Sequence, residues 1–296
     1  MPAETSTARP TAGRELTLLA LLYLAYSAAR LVADPDLTTA TANAHSLLRL
    51  EGDLSLDIER PVNAVLAALP ALALASSYWY SLLHYVVTPA VLLWVYRSHP
   101  ERYRPARNAL VLGSALGIVG FALLPVAPPR MLPGYVDTLA ATSDHGWWGA
   151  DASAPRGLGS LTNELAAMPS LHVGWALWCA AVLLLCASRR WVRVLAVAYP
   201  VATTVVVVAT ANHYLLDAVA GAVVIGAGAL LARAPLQLPR LRLRRWAGGL
   251  PDLLRVQRQH LPVTDGRGRD APAGRRPRAH GPGGGRLGGH GRLARR

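Results

Sequence analysis

Six runs of 17 to 19 residues are almost free of charge: Leu16–Ala33, Tyr78–Tyr96, Ala109–Ala127, Leu171–Ala187, Val192–Thr210 and Tyr214–Ala232. At ~1.5 Å per residue each is long enough to cross a hydrocarbon core of ~30 Å. No water is available there for backbone N–H and C=O groups, so the runs are expected as helices that satisfy their own hydrogen bonds. The expected fold is all-α, a polytopic membrane bundle of six transmembrane helices. A seventh run, Pro61–Ser76, is shorter and contains Pro70, so it is expected as an interfacial or re-entrant helix. By length, 296 residues could make two soluble domains, but 52% hydrophobic against 16% charged residues argues against that class.

The charge is unevenly placed. Every basic residue is Arg; Met1–Ala232 holds 14 Arg and 14 Asp plus Glu, while Arg233–Arg296 holds 16 Arg and 3 Asp and so carries the whole net charge of +13. Cationic loops stay on the cytoplasmic side. Arg97, Arg102, Arg104 and Arg107 lie between the second and third runs, Arg189, Arg190 and Arg193 between the fourth and fifth, and Arg9 and Arg14 in the N-terminus. The alternate segments are Asp34–Arg60, rich in acids, and Pro128–Ser170, with only Arg130 and Arg156. The expected organisation is a cytoplasmic N-terminus over residues 1–14 and a membrane domain over 15–233 with outward loops near 34–77 and 128–170. A basic cytoplasmic tail over 234–296 completes it, in a plasma-membrane protein.

The tail combines its arginines with 12 Gly and 7 Pro between Arg233 and Arg296, a composition unable to bury a core, and is expected to be disordered. Its partners would be anionic inner-leaflet lipids. Nucleic acid is not expected, because the aromatics that stack bases are not interleaved with its arginines. Cys179 and Cys186 share one apolar run, which excludes a disulfide framework and a Cys-ligated zinc site.

Ionisable groups at membrane depth are costly and usually functional. Asp217 lies in the last apolar run, four residues after His213, a spacing that lets the carboxylate hold the imidazole. His172 begins the fourth run. On the expected topology both histidines reach the outer surface at helix N-termini, where free N–H groups favour an anion. The third run ends at Pro128-Pro129-Arg130 and brings a permanent cation to the same depth. Together these groups describe a phosphate site. His84 either reaches the same cavity or makes a helix–helix hydrogen bond.

At these residues the chain resembles the type 2 phosphatidic acid phosphatase superfamily. The resemblance lies in Ala166-Ala167-Met168-Pro169-Ser170-Leu171-His172-Val173-Gly174-Trp175-Ala176 and in Asn212-His213-Tyr214-Leu215-Leu216-Asp217-Ala218-Val219-Ala220-Gly221. The Ser-Leu-His form, His-Tyr-x-x-Asp and Pro-Pro-Arg-Met are most similar to the branch related to inositol phosphorylceramide synthase. The resemblance implies that His213 is a nucleophile oriented by Asp217, that His172 is the general acid, and that Ser170 and Arg130 help hold phosphate. Two of the superfamily's usual cations are missing, with Leu123 at the Lys position and Val206-Val207 where Ser-Arg would fall. The cradle is then weaker, or is completed by Arg156 or His84.

The implied reaction passes through a phosphohistidine relieved by water in a lipid phosphatase, or by a lipid or polyol hydroxyl in a phosphotransferase. The substrate would be a membrane lipid phosphate or phosphodiester headgroup at the outer face, and no cofactor or metal is expected. Two other classes stay open: a membrane hydrolase in which His172, His213 and Asp217 ligate a divalent ion, and a non-catalytic lipid carrier on the same bundle.

Overall fold

The computed structural model of the chain describes residues 11–18, 20, 21, 24, 36–148 and 164–233. Most of the expected first span, Arg156 and the tail 234–296 lie outside the described residues. The described residues are helical, apart from connecting segments and one isolated bridge. Residues 12–18 form α1, followed by α2 (Leu37–Asp53), α3 (Glu59–Ala67), α4 (Pro70–Ser98) and α5 (Pro100–Leu123). A short α6 (Thr138–Ala141) precedes α7 (Leu171–Cys186), α8 (Arg190–Ala209) and α9 (Leu215–Arg233).

Among the described residues, α4, α5, α8 and α9 are long and apolar enough to cross a membrane, and α7 is an apolar helix of 16 residues. Their outer faces carry Tyr85, Leu93, Val194, Val201, Val223 and Leu230, all exposed, as lipid-facing helices require. Small residues sit where helices meet, because lipid gives no hydrophobic drive for association and close backbone approach must supply the contact. A Cβ at Gly228 would come within 2.4 Å of Gly113 N, and one at Gly221 within 2.2 Å of Ser170 O. These glycines press α9 against α5 at one level and against the start of α7 at another.

Several expected boundaries are corrected. Pro70 does not interrupt a re-entrant helix; it opens α4 at its first turn, where a fixed φ and a missing N–H cost nothing. Pro61–Ser76 is therefore divided between α3 and α4, and the second span runs Pro70–Ser98 rather than Tyr78–Tyr96. The third begins at Pro100, nine residues before the expected start, because Arg102, Arg104 and Arg107, which marked a loop, lie on the helix's first turns, and Arg97 lies on the last turn of α4. The acid-rich stretch read as an outward loop contains α2 and the start of α3, with Glu51 and Glu59 completely buried.

The arginine-bearing connections gather at one end of the bundle. Arg102 donates to Leu185 O, Arg193 to Leu184 O at 3.0 Å, and Trp178 Nε1 to Ala106 O at 2.8 Å, over a core of Val95, Tyr103, Trp178 and Val182. The opposite end holds α2, the single 3₁₀ turn Pro129–Met131 and the starts of α7 and α9, packed on Ala40, Ala44, Val126, Ala127 and Tyr214. There Val126 pairs in parallel with Ala166, drawing the Arg130 segment beside the approach to α7.

Candidate active site

Helix α8 ends in two bonds that reverse the chain: Ala211 N donates to Val208 O at 2.9 Å and Asn212 N to Val207 O at 3.1 Å. This is a Schellman ending, with Ala211 rather than glycine in the left-handed conformation at φ 56°. The turn presents Asn212 and His213 just ahead of α9. His213 thus precedes the helix instead of lying in its first turn, while Asp217 is inside that turn and fully buried. Their expected contact is present: His213 Nδ1 lies 3.3 Å from Asp217 Oδ2 and 2.8 Å from Ala167 O.

The second distance fixes the tautomer. A carbonyl oxygen can only accept, so Nδ1 carries the proton, and in the neutral ring Nε2 holds the lone pair. His213 Nε2 is buried without a partner, and so is His172 Nε2. The two rings are 5.6 Å apart between centroids. His172 lies in the first turn of α7, whose cap is Ser170: the buried hydroxyl accepts from Val173 N at 3.4 Å, and Ser170 N donates to Asp217 O at 2.9 Å. That last bond ties the start of α7 to the first turn of α9, so the two histidines are held by one junction.

His84 joins them from α4, its ring 4.3 Å from that of His172 and its Nδ1 buried and unpartnered. Tyr80, one turn earlier, stacks on His172 at 4.4 Å and 23°. Tyr80 was missed in the sequence, although its spacing of four from His84 places both on one helix face. Arg130 arrives through its backbone, N donating to Ala211 O at 2.8 Å, and its Nε donates to Asn212 Oδ1 at 3.0 Å. Asp137 and Glu164 stand at 3.8 and 3.9 Å from its terminal nitrogens. The structure therefore brings His172, His213, Asp217, His84 and Ser170 together and sets Arg130 on the His213 turn.

One expectation is overturned. The N-terminus of α9 is not free to receive an anion, because Leu215 N and Leu216 N already donate to Glu59 and Glu51 at 2.9 and 2.8 Å. Those glutamates were missed, and nothing in their spacing marks them. Asp217 Oδ2 is turned to His213 Nδ1 and Tyr214 N, orienting the ring rather than adding a donor beside it. Among the described residues no group of three or more His, Cys, Asp or Glu is arranged to hold a metal ion.

The model of the PAP2 superfamily matches residues 45–231, more than half of the chain and all of this site. The chain belongs to the PAP2 superfamily. No curated protein and no solved structure matches it. Members of the PAP2 superfamily are phosphatases and phosphotransferases, and the apolar helices make this one a membrane protein of that type. The matched span begins within α2 and ends within α9, so Glu51 and Glu59 fall inside the PAP2 region.

Proposed function

We propose that the protein transfers phosphoryl groups from a lipid phosphate or phosphodiester headgroup at the outer membrane face, through a phosphohistidine on His213. The carrying observation is the pair of buried, unpartnered Nε2 atoms on His213 and His172, with Nδ1 of His213 pinned by Ala167 O and Asp217. The Nε2 lone pair of His213 attacks phosphorus as the P–O bond to the leaving group breaks, and His172 gives that oxygen a proton. Water or an alcohol then attacks phosphorus, the N–P bond breaks, and His172 takes the proton back. With water the product is inorganic phosphate or a phosphomonoester; with a polyol or lipid hydroxyl it is a new ester, as in the branch resembling inositol phosphorylceramide synthase. His84, Ser170 and Arg130 support the phosphoryl oxygens in this reading. The test is to incubate purified protein with a panel of lipid phosphates, with and without polyol acceptors, and identify products by mass spectrometry. Return of every substrate unchanged would overturn the proposal.

Arg130 supplies the permanent positive charge. Arg130→Ala should lower kcat/KM about 100-fold, the usual loss when a preorganised charge on a transferring phosphoryl group is removed. A change below about threefold would remove Arg130 from the cradle.

The outward orientation is supported by the arginine-bearing connections collecting at the end opposite the histidines. A membrane-impermeant thiol reagent should label cysteine placed at the exposed Asp144 in intact cells, over the background of Cys179 and Cys186, and should not label cysteine placed at Gly284. The reverse pattern would move the chemistry to the cytoplasm and place the tail outside, away from inner-leaflet lipids.

A further inference from the structure

Three consecutive backbone N–H groups follow His213, and each donates to a different carboxylate. Tyr214 N reaches Asp217 Oδ2 at 2.9 Å, Leu215 N reaches Glu59 Oε1 at 2.9 Å, and Leu216 N reaches Glu51 Oε1 at 2.8 Å. All three side chains are 0% exposed. Their remaining oxygens, Asp217 Oδ1, Glu59 Oε2 and Glu51 Oε2, are buried without a partner. Among the described residues no arginine or histidine forms an ion pair with Glu51 or Glu59.

Helix α9 could be capped far more simply, by one serine or aspartate next to it in the chain. Here the caps come from α2 and α3, more than 150 residues earlier. They fix where the first turn of α9 stands relative to the rest of the outer end, and that turn carries Asp217 and is continuous with His213. The helix dipole favours negative charge at this position, but three ionised carboxylates in one dry site repel one another, and proton uptake is the ordinary relief.

We infer that Glu51 is a positioning residue that acts in its protonated form, clamping the first turn of α9 together with Glu59 and so holding Asp217 and His213 in register with His172. The inference deepens the phosphoryl-transfer reading and rests on it for its kinetic arm alone. Burial is the main cause that pushes the Glu51 carboxyl up to about 8; the Leu216 N–H opposes it, and Glu59 and then Asp217 add to it. The other titratable groups set against this cluster are His213, whose Nδ1 lies 3.3 Å from Asp217 Oδ2, Tyr135, from the segment after the Arg130 turn, and Tyr214. Both tyrosines are pushed upward by burial and stay neutral.

The sign follows from the proton count. The folded chain keeps a proton on Glu51 that the unfolded chain releases above the ordinary glutamate value of 4.5. Stability from this group is complete below that pH, declines as pH rises toward about 8, and is lost above it. Glutamine retains an acceptor for Leu216 N and imitates the neutral carboxyl, whereas alanine leaves Leu216 N without its acceptor.

The experiment uses the full chain purified in detergent, with thermal midpoint and kcat on a lipid phosphate followed from pH 5 to 9.5. For the wild type the midpoint should fall up to about pH 8, and kcat should drop about tenfold per unit above it. Glu51→Gln should flatten both profiles and keep kcat at pH 6.5 within about threefold, while Glu51→Ala should lose about 30-fold or more, a loss of the size expected for a misplaced reacting group. A Glu51→Gln profile that follows the wild type, or a glutamine as damaging as alanine, would overturn the inference. The midpoints need no substrate, so they decide it even if no lipid phosphate is turned over; if the alanine variant does not fold, the glutamine profile decides alone.

Discussion

Replacing His213 with alanine is expected to stop turnover of every substrate and to remove any acid-labile phosphoryl label from the protein. The reason is that Nε2 of His213 is the atom to which phosphorus is transferred in the proposed reaction, and its lone pair is held there by the Nδ1 proton pinned to Ala167 O. His172→Ala should separate substrates instead. A general acid contributes ~100 to 10,000-fold on a poor alkoxide leaving group and little on an activated phenolate. The variant should therefore keep turnover of a p-nitrophenyl phosphate ester that enters the site while losing a lipid alkoxide. Asp217→Asn should fall between the two, because asparagine can still accept from Tyr214 N but no longer stabilises positive charge on the ring. Vanadate should inhibit the wild type and chelators should not. Equal losses for His172→Ala on both leaving groups, or activity removed by chelator and restored by zinc, would transfer the assignment to a metal site.

Gly221→Ala should be nearly as damaging, from a position that touches no substrate. Its new Cβ would stand 2.2 Å from Ser170 O, 3.1 Å from Ser170 C and 3.4 Å from Gly174 N, all backbone atoms at the start of α7. Neither helix can yield by rotating a side chain, so α9 must move away. That strains the Ser170 N to Asp217 O bond of 2.9 Å, which joins the helix of His172 to the turn of His213. Overpacking of this kind costs ~1–3 kcal/mol or more in stability, and an ångström of displacement at the reacting groups lowers rate by ~100-fold. Two glycines of α9 serve as controls. Gly226 has open space at its Cβ position, so Gly226→Ala should raise stability by up to ~1 kcal/mol. Gly228 meets Gly113 and Ala109 on α5, so Gly228→Ala should cost stability while the folded fraction keeps its kcat. Thermal inactivation and kcat of the three variants, measured side by side, distinguish these outcomes. A Gly221→Ala enzyme within about threefold of wild type would show that the junction does not need this contact.

How much of the site could be read from the residues depends on whether its parts are close in the chain. The His213 and Asp217 pair was legible because four residues bring two side chains together wherever the backbone turns like a helix, and here the contact forms although His213 sits in the turn before α9. Arg130 was legible as a cation at the end of an apolar run, and its place on the His213 turn depends on Asn212. The spans were legible because a hydrocarbon interior permits few alternatives to a helix, and α4, α5, α8 and α9 stand where apolar runs were found. Their ends were not, since proline both starts and stops helices and arginine is as much at home on an interfacial turn as in a loop.

By itself the sequence determined the membrane-embedded helical class, the polar residues at depth and the motifs that carry the family. Only the tertiary structure decided that His84 and Tyr80 enclose His172, that Ala167 O assigns the His213 proton, and that Glu51 and Glu59 fill the anion position at α9. The physical reason is separation along the chain. Local spacing is governed by helix geometry that any stretch of sequence reports, whereas a carboxylate 156 or 165 residues from the amide it caps acquires its meaning only when packing has removed both from solvent and left each as the other's partner.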